Sequence, residues 1–557
     1  MLRAIPQTAT SMPLTLDAVI PVEQATAPRN GGKLALATVT VLLLVTAMFL
    51  RVWQLGSLPG VNGDEAWSGV QAQRLLGGES ISWRTPTGNP VNVFFLLPLV
   101  ALHAVFAPSF ALLRSVAVVS GLLALVANYW LCRRAFDQRT ALVSTVLLAI
   151  LPVNIAYSRF AWDASQSLLA TVLVLYLPLI WLRRGRSLFS FPVAAMVALA
   201  AALVVHPTNI FAAPLVVVPI AYARKRQLLA GLRGTSLSAR PGSLVALLLA
   251  SAIVVSVIWR VLAALLTRLH GPGEFGEFCQ NYLRLLSGAT VYEYIASIEG
   301  ATGPLAPFAW LPLACKLLFG IVVIVGGWGL VRRLSAHADE VDVSLLLAWG
   351  TMFVGFALVA GPAAIAPHFE RYGICLVAPS VLVLARGLTW WIEPERLHAR
   401  AATWYLLLSA WLFPVTFYLG YFEFIERSGG LSQRAFGTAA EEPKLTAFRE
   451  ILARRQPGEA IDIVASEWWL YWPLEYLALG EKNVAVRGLP AALDPGARPP
   501  QVQATTWQVE YVGSAAERDV LRRAAKTDAT ISRRVVCDYA GEPLISAVKV
   551  GRKDSAK

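Results

Sequence analysis

The chain has 557 residues, of which 56% are hydrophobic and only 15% charged, with a mean hydropathy of +0.57. A soluble domain carries roughly 25% charged residues, so this chain has too little polar surface to cover itself in water, and it repeats apolar runs of bilayer-spanning length, about 17–25 residues each. The net charge of +13 sits in short loops between those runs, as cytoplasmic basic residues do in membrane proteins. It forms no stripe interleaved with exposed aromatics of the kind single-strand binders use, which argues against nucleic acid as a partner.

Residues 1–32 are polar, contain Pro and Thr, and lack the short apolar core of a cleavable signal peptide. They read as a disordered cytoplasmic tail, and the first span, about 34–52, as an uncleaved signal anchor entered from Arg29 and Lys33. Later spans are expected near 111–132, 139–157, 165–182, 188–205, 209–223, 242–266, 308–331, 343–361, 372–391 and 402–421. The fold class is therefore an α-helical polytopic membrane protein with about eleven transmembrane helices. An odd number puts the N-terminus inside and the last segment, 422–557, outside in the periplasm.

The run Val91–Ala107 is excluded from that set. It is short, Pro98 and His103 interrupt it, and letting it span would turn Arg133, Arg134 and Arg139 outward against the charge bias. It is expected to lie along the outer interface. The first outer loop, 53–110, then holds an amphipathic helix over Asp64–Leu76, and the loop 267–307 has the composition of a lid.

The segment 422–557 reads as a soluble α/β domain. Strands are expected at Ile461–Ala465, Val484–Arg487 and Trp507–Val512, helices at Trp468–Leu479 and Ala515–Ala525, and a closing hairpin over Val535–Val550 around Gly541. It carries no nucleotide-binding glycine fingerprint. The five cysteines show no metal-ligand spacing; Cys279 and Cys537 both fall outside, where they either form a disulfide or stay as two thiols.

Three constellations could do chemistry. Asp64 and Glu65 follow Gly63 at the outer end of the first span. Asp64 stands where a helix N-cap would be, so the structural alternative is a cap with an acidic first turn. Paired carboxylates at an apolar boundary are costly unless partnered, and a carboxylate with a raised pKa suits general-base work. In Tyr157–Asp163, Arg159 and Asp163 stand four apart and could pair on one helical face, either as a local salt bridge or beside Asp64. In Pro367–Tyr372, Arg371 suits a phosphate because its planar fork takes two oxygens together; the alternative is interfacial anchoring by Arg371 and Tyr372. Weaker candidates are His206–Asn209, Trp83–Arg84, Glu293, Tyr294 and Glu299. The scattered histidines indicate no metal centre, and a divalent ion is neither required nor excluded.

Taken together, Gly63-Asp64-Glu65, the interfacial run after Asn89-Pro90, Ser158-Arg159 with Asp163, and His368-Phe369-Glu370-Arg371-Tyr372 leading to Pro379 resemble the bacterial members of the protein O-mannosyltransferase-like family, glycosyltransferase family 39. That family includes the aminoarabinose transferases that modify lipid A. The resemblance covers roughly residues 34–421 and implies a GT-C fold. It also implies an inverting transferase that takes a hexosyl or pentosyl group from a polyprenyl-phosphate carrier at the outer face of the inner membrane. The acceptor would be lipid A, another glycolipid, a polysaccharide or a protein. By position it gives Asp64, Glu65 and Asp163 the catalytic roles and assigns Arg159, Arg371, Tyr372, Arg84 and His368 to the donor phosphate. One departure is local: the aminoarabinose transferases carry a basic residue before a Pro-Pro pair where this chain has Asn89, Pro90 and Val91. The alternative class, a transporter or lipid-linked sugar flippase, would show repeats and polar sites at the membrane midplane; here the charges gather at outer span ends.

Overall fold

The structure is a computed structural model. It describes residues 30–551 except 86–87, 185–189, 234–271, 296–300, 394–398, 429–440, 491–493, 495, 497–503, 527–529 and 539–540. Among the described residues, six helical stretches are long and apolar enough to cross a membrane: Phe110–Ala135, Asp163–Arg184, Gly303–Ala336, Glu340–Val359, Glu370–Trp391 and Ala399–Ser428. The protein is a polytopic helical membrane protein with a small C-terminal sheet.

The expected spans compare with this as follows. Residues 34–52 lie in the 23-residue helix Asn30–Val52, and 139–157 and 188–205 contain the shorter apolar helices Gln138–Ile150 and Ser190–Val205. The 209–223 run becomes a 3-10 turn, Pro207–Ala212, followed by the helix Ala213–Arg233. The 242–266 run lies outside the described residues. The 139–157 span is divided because Leu151 is extended (ψ 125°) and Pro152 opens a new six-residue helix, Pro152–Tyr157. Proline lacks the N–H that would continue the first helix. The interfacial run forms the helix Val93–His103, 11 residues and so about 16 Å long, too short to cross alone.

The two ends of the bundle differ in chemistry. At one end, Arg386 grips both oxygens of Asp342 at 2.6 Å and reaches Asp137 at 3.1 Å, while Arg333 pairs with Asp342 and Glu393. This network ties the 135–138 turn, the 336–340 turn and the end of the helix Val377–Trp391. These are the loops whose basic residues the charge bias placed together. The loops carrying Asp64, Asp163, His206 and Arg371 belong to the opposite end.

There, two helices of the first loop join the C-terminal sheet in one apolar core. We call Gly63–Leu76 α1 and Trp468–Ala478 α2. Ala66, Val70 and Ala72 of α1 and Phe95, Leu96 and Leu99 of the interfacial helix share a buried cluster with Leu470, Tyr471, Trp472 and Leu474 of α2. Two glycines let the helices meet. A Cβ on Gly69 would lie 2.4 Å from the Tyr476 ring, and one on Gly63 would lie 2.7 Å from the Trp468 ring. At the far end of α1, Arg74 donates to both oxygens of Asp494 (2.5 and 3.1 Å) and pairs with Glu475. Beyond α2 the sheet has five strands in the order β2-β1-β3-β5-β4, where β1 is Ile461–Val464, β2 Val484–Arg487, β3 Thr505–Tyr511, β4 Thr530–Cys537 and β5 Pro543–Gly551. β1 runs parallel to β2 and β3, and the β4–β5 hairpin closes antiparallel onto β3. Cys279 and Cys537 are not bonded to each other in this structure.

Candidate active site

The acidic pair divides its labour, and the cap is neither member of it. Asn62 caps α1: its side chain accepts from the Asp64 N–H at 2.7 Å, and the Glu65 carboxylate accepts from the Asn62 N–H at 3.1 Å. This reciprocal capping box rules against the structural alternative, in which Asp64 would be the cap, and leaves the Asp64 carboxylate outside it. Glu65 goes the other way. It is fully buried and gripped by Arg114, Nε to Oε1 at 3.0 Å and Nη2 to Oε2 at 2.9 Å, while Oε1 also accepts from the Ala161 N–H at 2.8 Å. With both oxygens engaged inside the protein, Glu65 positions the loop and does not face a substrate.

Arg159 is corrected in the same sense. The chain is not helical across 158–162, so Arg159 and Asp163 do not share a helical face. Arg159 is fully buried and donates to the carbonyls of Leu50, Leu58 and Gln54, at 2.8, 2.9 and 3.4 Å, with Phe422 and Tyr421 under its guanidinium. It staples the chain between the first span and α1 and leaves no fork for a phosphate. Arg114 completes the staple through the carbonyls of Leu55 and Gly60. Sequence reasoning missed Arg114, although an arginine in the first turn of an apolar span at the outer end, against the charge bias, was a signal.

Asp64, Asp163 and Arg371 do come together. Asp163 opens the 3-10 turn Asp163–Gln166, and Arg371 lies in the 3-10 helix Glu370–Leu376. The positive charge of Arg371 reaches Asp64, Asp163, Glu370 and His206, so the five groups are neighbours. Its guanidinium lies 4.5 Å from the Trp162 ring centre and 4.6 Å from that of Tyr372. It donates to the His368 carbonyl at 3.0 Å and to the Tyr372 hydroxyl at 3.0 Å. Ring contacts and two hydrogen bonds fix its orientation before any ligand arrives.

Burial pushes the Asp64 carboxyl up to about 6, against the opposing pull of a Trp468 hydrogen bond and of Arg371; Asp163 and Glu65 add to the rise. The Trp468 indole N–H donates to Asp64 Oδ1 at 3.0 Å. A carboxylate that is mostly ionised at neutral pH yet more basic than an ordinary one is suited to taking up a proton.

The remaining candidates are less central. His206 caps the Pro207–Ala212 turn, with Nδ1 2.7 Å from the Thr208 hydroxyl and its ring 5.6 Å from that of Tyr372. Burial first, and Arg371 second, press it down to about 4, so it faces the cluster as a neutral imidazole. Glu370 is buried and accepts from the Tyr157 hydroxyl at 3.2 Å. His368 is exposed, with φ 78°, and supplies its carbonyl to Arg371. Arg84 is exposed and donates to Gly88 O at 2.9 Å within its own hairpin; among the described residues no contact draws it to Asp64. Glu293 pairs with Lys316 and Arg284, the Tyr294 side chain and Glu299 lie outside the described residues, and Trp83 is exposed. Among the described residues no group of three or more His, Cys, Asp or Glu side chains could hold a metal ion. A small cavity of about 150 Å³, lined by Gln73, Arg74, Gly77, Glu79, Glu475 and Leu479, opens at the other end of α1 and holds none of the sequence-predicted residues.

Fold and site together define a multi-pass membrane protein with a carboxylate–arginine cluster at one membrane end, contacted by a C-terminal α/β sheet. No family model and no curated protein matches the chain. Among solved structures it is similar to ArnT from Cupriavidus metallidurans in the apo state (TM-score 0.49, 15% identity, 92% of this chain and 98% of that one). The same protein bound to undecaprenyl phosphate gives TM-score 0.49 and 15% identity over 93% and 98%. The archaeal oligosaccharyltransferase AglB from Archaeoglobus fulgidus, in complex with an inhibitory peptide and a dolichol-phosphate, gives TM-score 0.47 and 14% identity, covering 89% of this chain and 71% of that one.

Proposed function

We propose that this protein is a glycosyltransferase of the bacterial inner membrane that moves a sugar from a polyprenyl-phosphate donor to an acceptor hydroxyl at the outer face. The N-terminus is cytoplasmic and the C-terminal segment periplasmic in this reading. The observation that carries it is the convergence of Asp64, Asp163 and Arg371 from three separate loops at one membrane end. A phosphate leaving group needs fixed positive charge, and a hydroxyl nucleophile needs a carboxylate able to take its proton.

In the step we infer, the acceptor oxygen forms a bond to the anomeric carbon from the face opposite the carrier. The bond from that carbon to the phosphate oxygen breaks, and its electron pair stays on the phosphate beside Arg371. The hydroxyl proton passes to Asp64. Attack from the opposite face inverts the centre. Asp163 orients the acceptor, and Tyr372 and His368 hold Arg371 in place. Glycolipid, polysaccharide and protein hydroxyls are all chemically suitable acceptors, and a hexosyl or pentosyl group is the transferred unit.

The test is transfer in membranes carrying the full chain, supplied with labelled undecaprenyl-phosphate sugars and read by mass spectrometry of glycolipids and envelope proteins. Wild type should label one acceptor class, and Asp64→Asn should abolish the label. Full-rate labelling by Asp64→Asn would remove Asp64 as the base. Movement of the lipid-linked sugar across reconstituted vesicles without transfer would replace the whole reading with transport.

A further inference from the structure

The contact between Asp64 and α2 of the C-terminal α/β segment joins residues 404 positions apart in sequence. Trp468 is the first residue of α2, half-buried, with its ring 5.4 Å from that of Trp472 in an edge-on contact. Trp472 is fully buried, and the Arg74 guanidinium lies 5.7 Å from its ring centre. A continuous packed path therefore runs from the Arg74–Asp494 clamp through Trp472 and Trp468 to Asp64. Gly63 belongs to it as well, because only a residue without a Cβ lets the indole come so close to the start of α1. Trp468 engages Oδ1 of Asp64; among the described residues no hydrogen bond occupies Oδ2.

We propose that Trp468 is a positioning residue for Asp64: its indole N–H holds one carboxylate oxygen and turns the other toward the acceptor hydroxyl, which makes the C-terminal α/β sheet an integral part of the active site. This rests on the reading of Asp64 as the base. The charged groups facing Asp64 are Arg371 from the 370–376 turn, Asp163 from the 163–166 turn and Glu65 on its own helix, and none of them is supplied by the sheet. The indole is the C-terminal α/β segment's one hydrogen bond to that carboxylate among the described residues.

The hydrogen bond favours the ionised carboxylate and so holds Asp64 below where burial alone would put it. Trp468→Phe removes the donor and keeps the ring bulk, so the carboxyl should titrate at higher pH. The experiment is a difference infrared titration of the full-length protein in detergent, with the Asp64→Asn spectrum subtracted to isolate the Asp64 carboxyl band. In Trp468→Phe the midpoint should rise by roughly one pH unit. Gly63→Ala, which pushes the indole away and leaves Trp468 in the chain, should move it in the same direction. Glu517→Gln weakens the sheet at its Arg533 pair (2.7 Å), remote from Asp64, and should leave the midpoint at its wild-type value.

In the transfer assay, a one-unit rise predicts Trp468→Phe about fivefold slower than wild type near pH 6 and close to wild type near pH 8. An unmoved midpoint in Trp468→Phe overturns the proposal, as does an equal shift in Glu517→Gln, which would mark a merely structural role. The titration reads Asp64 whether or not sugar is transferred. Its failure is thus separate from failure of the glycosyltransferase reading, which Asp64→Asn decides.

Discussion

At the scale of single residues, the site shows how neighbours sort chemically identical groups. Asp64 and Glu65 are adjacent carboxylates, yet Glu65 meets a guanidinium and two backbone N–H groups while Asp64 meets one indole N–H and the more distant field of Arg371. Burial without a contact ion pair lifts Asp64 to about 6. In the proposed step Asp64 acts deprotonated, so kcat/KM for transfer should be flat above that value and fall tenfold per unit as the pH drops below it. A pH–rate profile of the free enzyme reads this directly, and an acid limb near the ordinary carboxylate range of about 4 would assign it to another group. Arg371 makes the complementary prediction. Arg371→Lys keeps the charge but loses the planar fork between Trp162 and Tyr372. If that fork stabilises the departing phosphate, kcat should fall about 10²-fold, the scale of losing one preorganised donor, with a smaller change in donor KM. Equal kcat in Arg371→Lys would reduce Arg371 to an interfacial anchor.

At the scale of elements, the short segment between the first span and α1 makes a few turn bonds of its own, such as Leu58 N to Gln54 O at 2.9 Å, and is tied to the bundle by side chains from elsewhere. Arg159 and Arg114 together bind the carbonyls of Leu50, Gln54, Leu55, Leu58 and Gly60. Carbonyls that the turn's own backbone bonds do not cover need such partners, because buried carbonyls left bare are costly. Glu65→Gln leaves the Arg114 charge buried without its counter-ion, and breaking a buried pair on one side costs about 3–5 kcal/mol. Its thermal midpoint in detergent should therefore drop well below wild type, while the double variant Glu65→Leu/Arg114→Met recovers part of the loss. A Glu65→Gln midpoint equal to wild type would contradict the clamp.

This is also where the sequence was least legible. Apolar runs of bilayer length announced the full-length spans, and alternation with turn residues announced β1 and β2 to within a residue, while β3 begins two residues and β4 five residues before the expected starts. Motif position brought Asp64, Asp163 and Arg371 to one end because loop order and charge bias fix sidedness. An arginine's partners leave no such trace. Arg159 reads the same in one dimension whether it meets a phosphate or three carbonyls, and only the fold of residues 50–60 around it distinguishes the two.

At the scale of the whole molecule, the membrane bundle and the C-terminal sheet are joined through α1, and the join carries charge at one end and the candidate base at the other. Arg74, Asp494, Glu475 and the Tyr471 hydroxyl, which donates to Asp494, form the charged end. Arg74 holds the Asp494 carboxyl below its ordinary value, its hydrogen bonds and charge outweighing the opposite push of burial. A carboxylate whose folded value is depressed contributes stability that is complete above its unfolded pKa, about 4 for Asp. That stability is lost as the pH falls through the lower folded value. Docking of the sheet on α1 should therefore persist through the range in which Asp64 titrates and fail only in stronger acid. The two ends of α1 would then respond to pH separately, the base near 6 and the clamp below about 4. Limited proteolysis of the full chain in detergent, scanned over pH, checks this: cleavage between the last span and β1 should stay slow down to about pH 4 and rise below it. Asp494→Asn should be cleaved quickly at every pH, since the amide offers Arg74 no charge. If wild-type cleavage instead accelerates near pH 6, together with Asp64 protonation, the Trp468–Asp64 contact rather than the Arg74–Asp494 clamp governs docking. The sheet would then be released whenever the base is protonated.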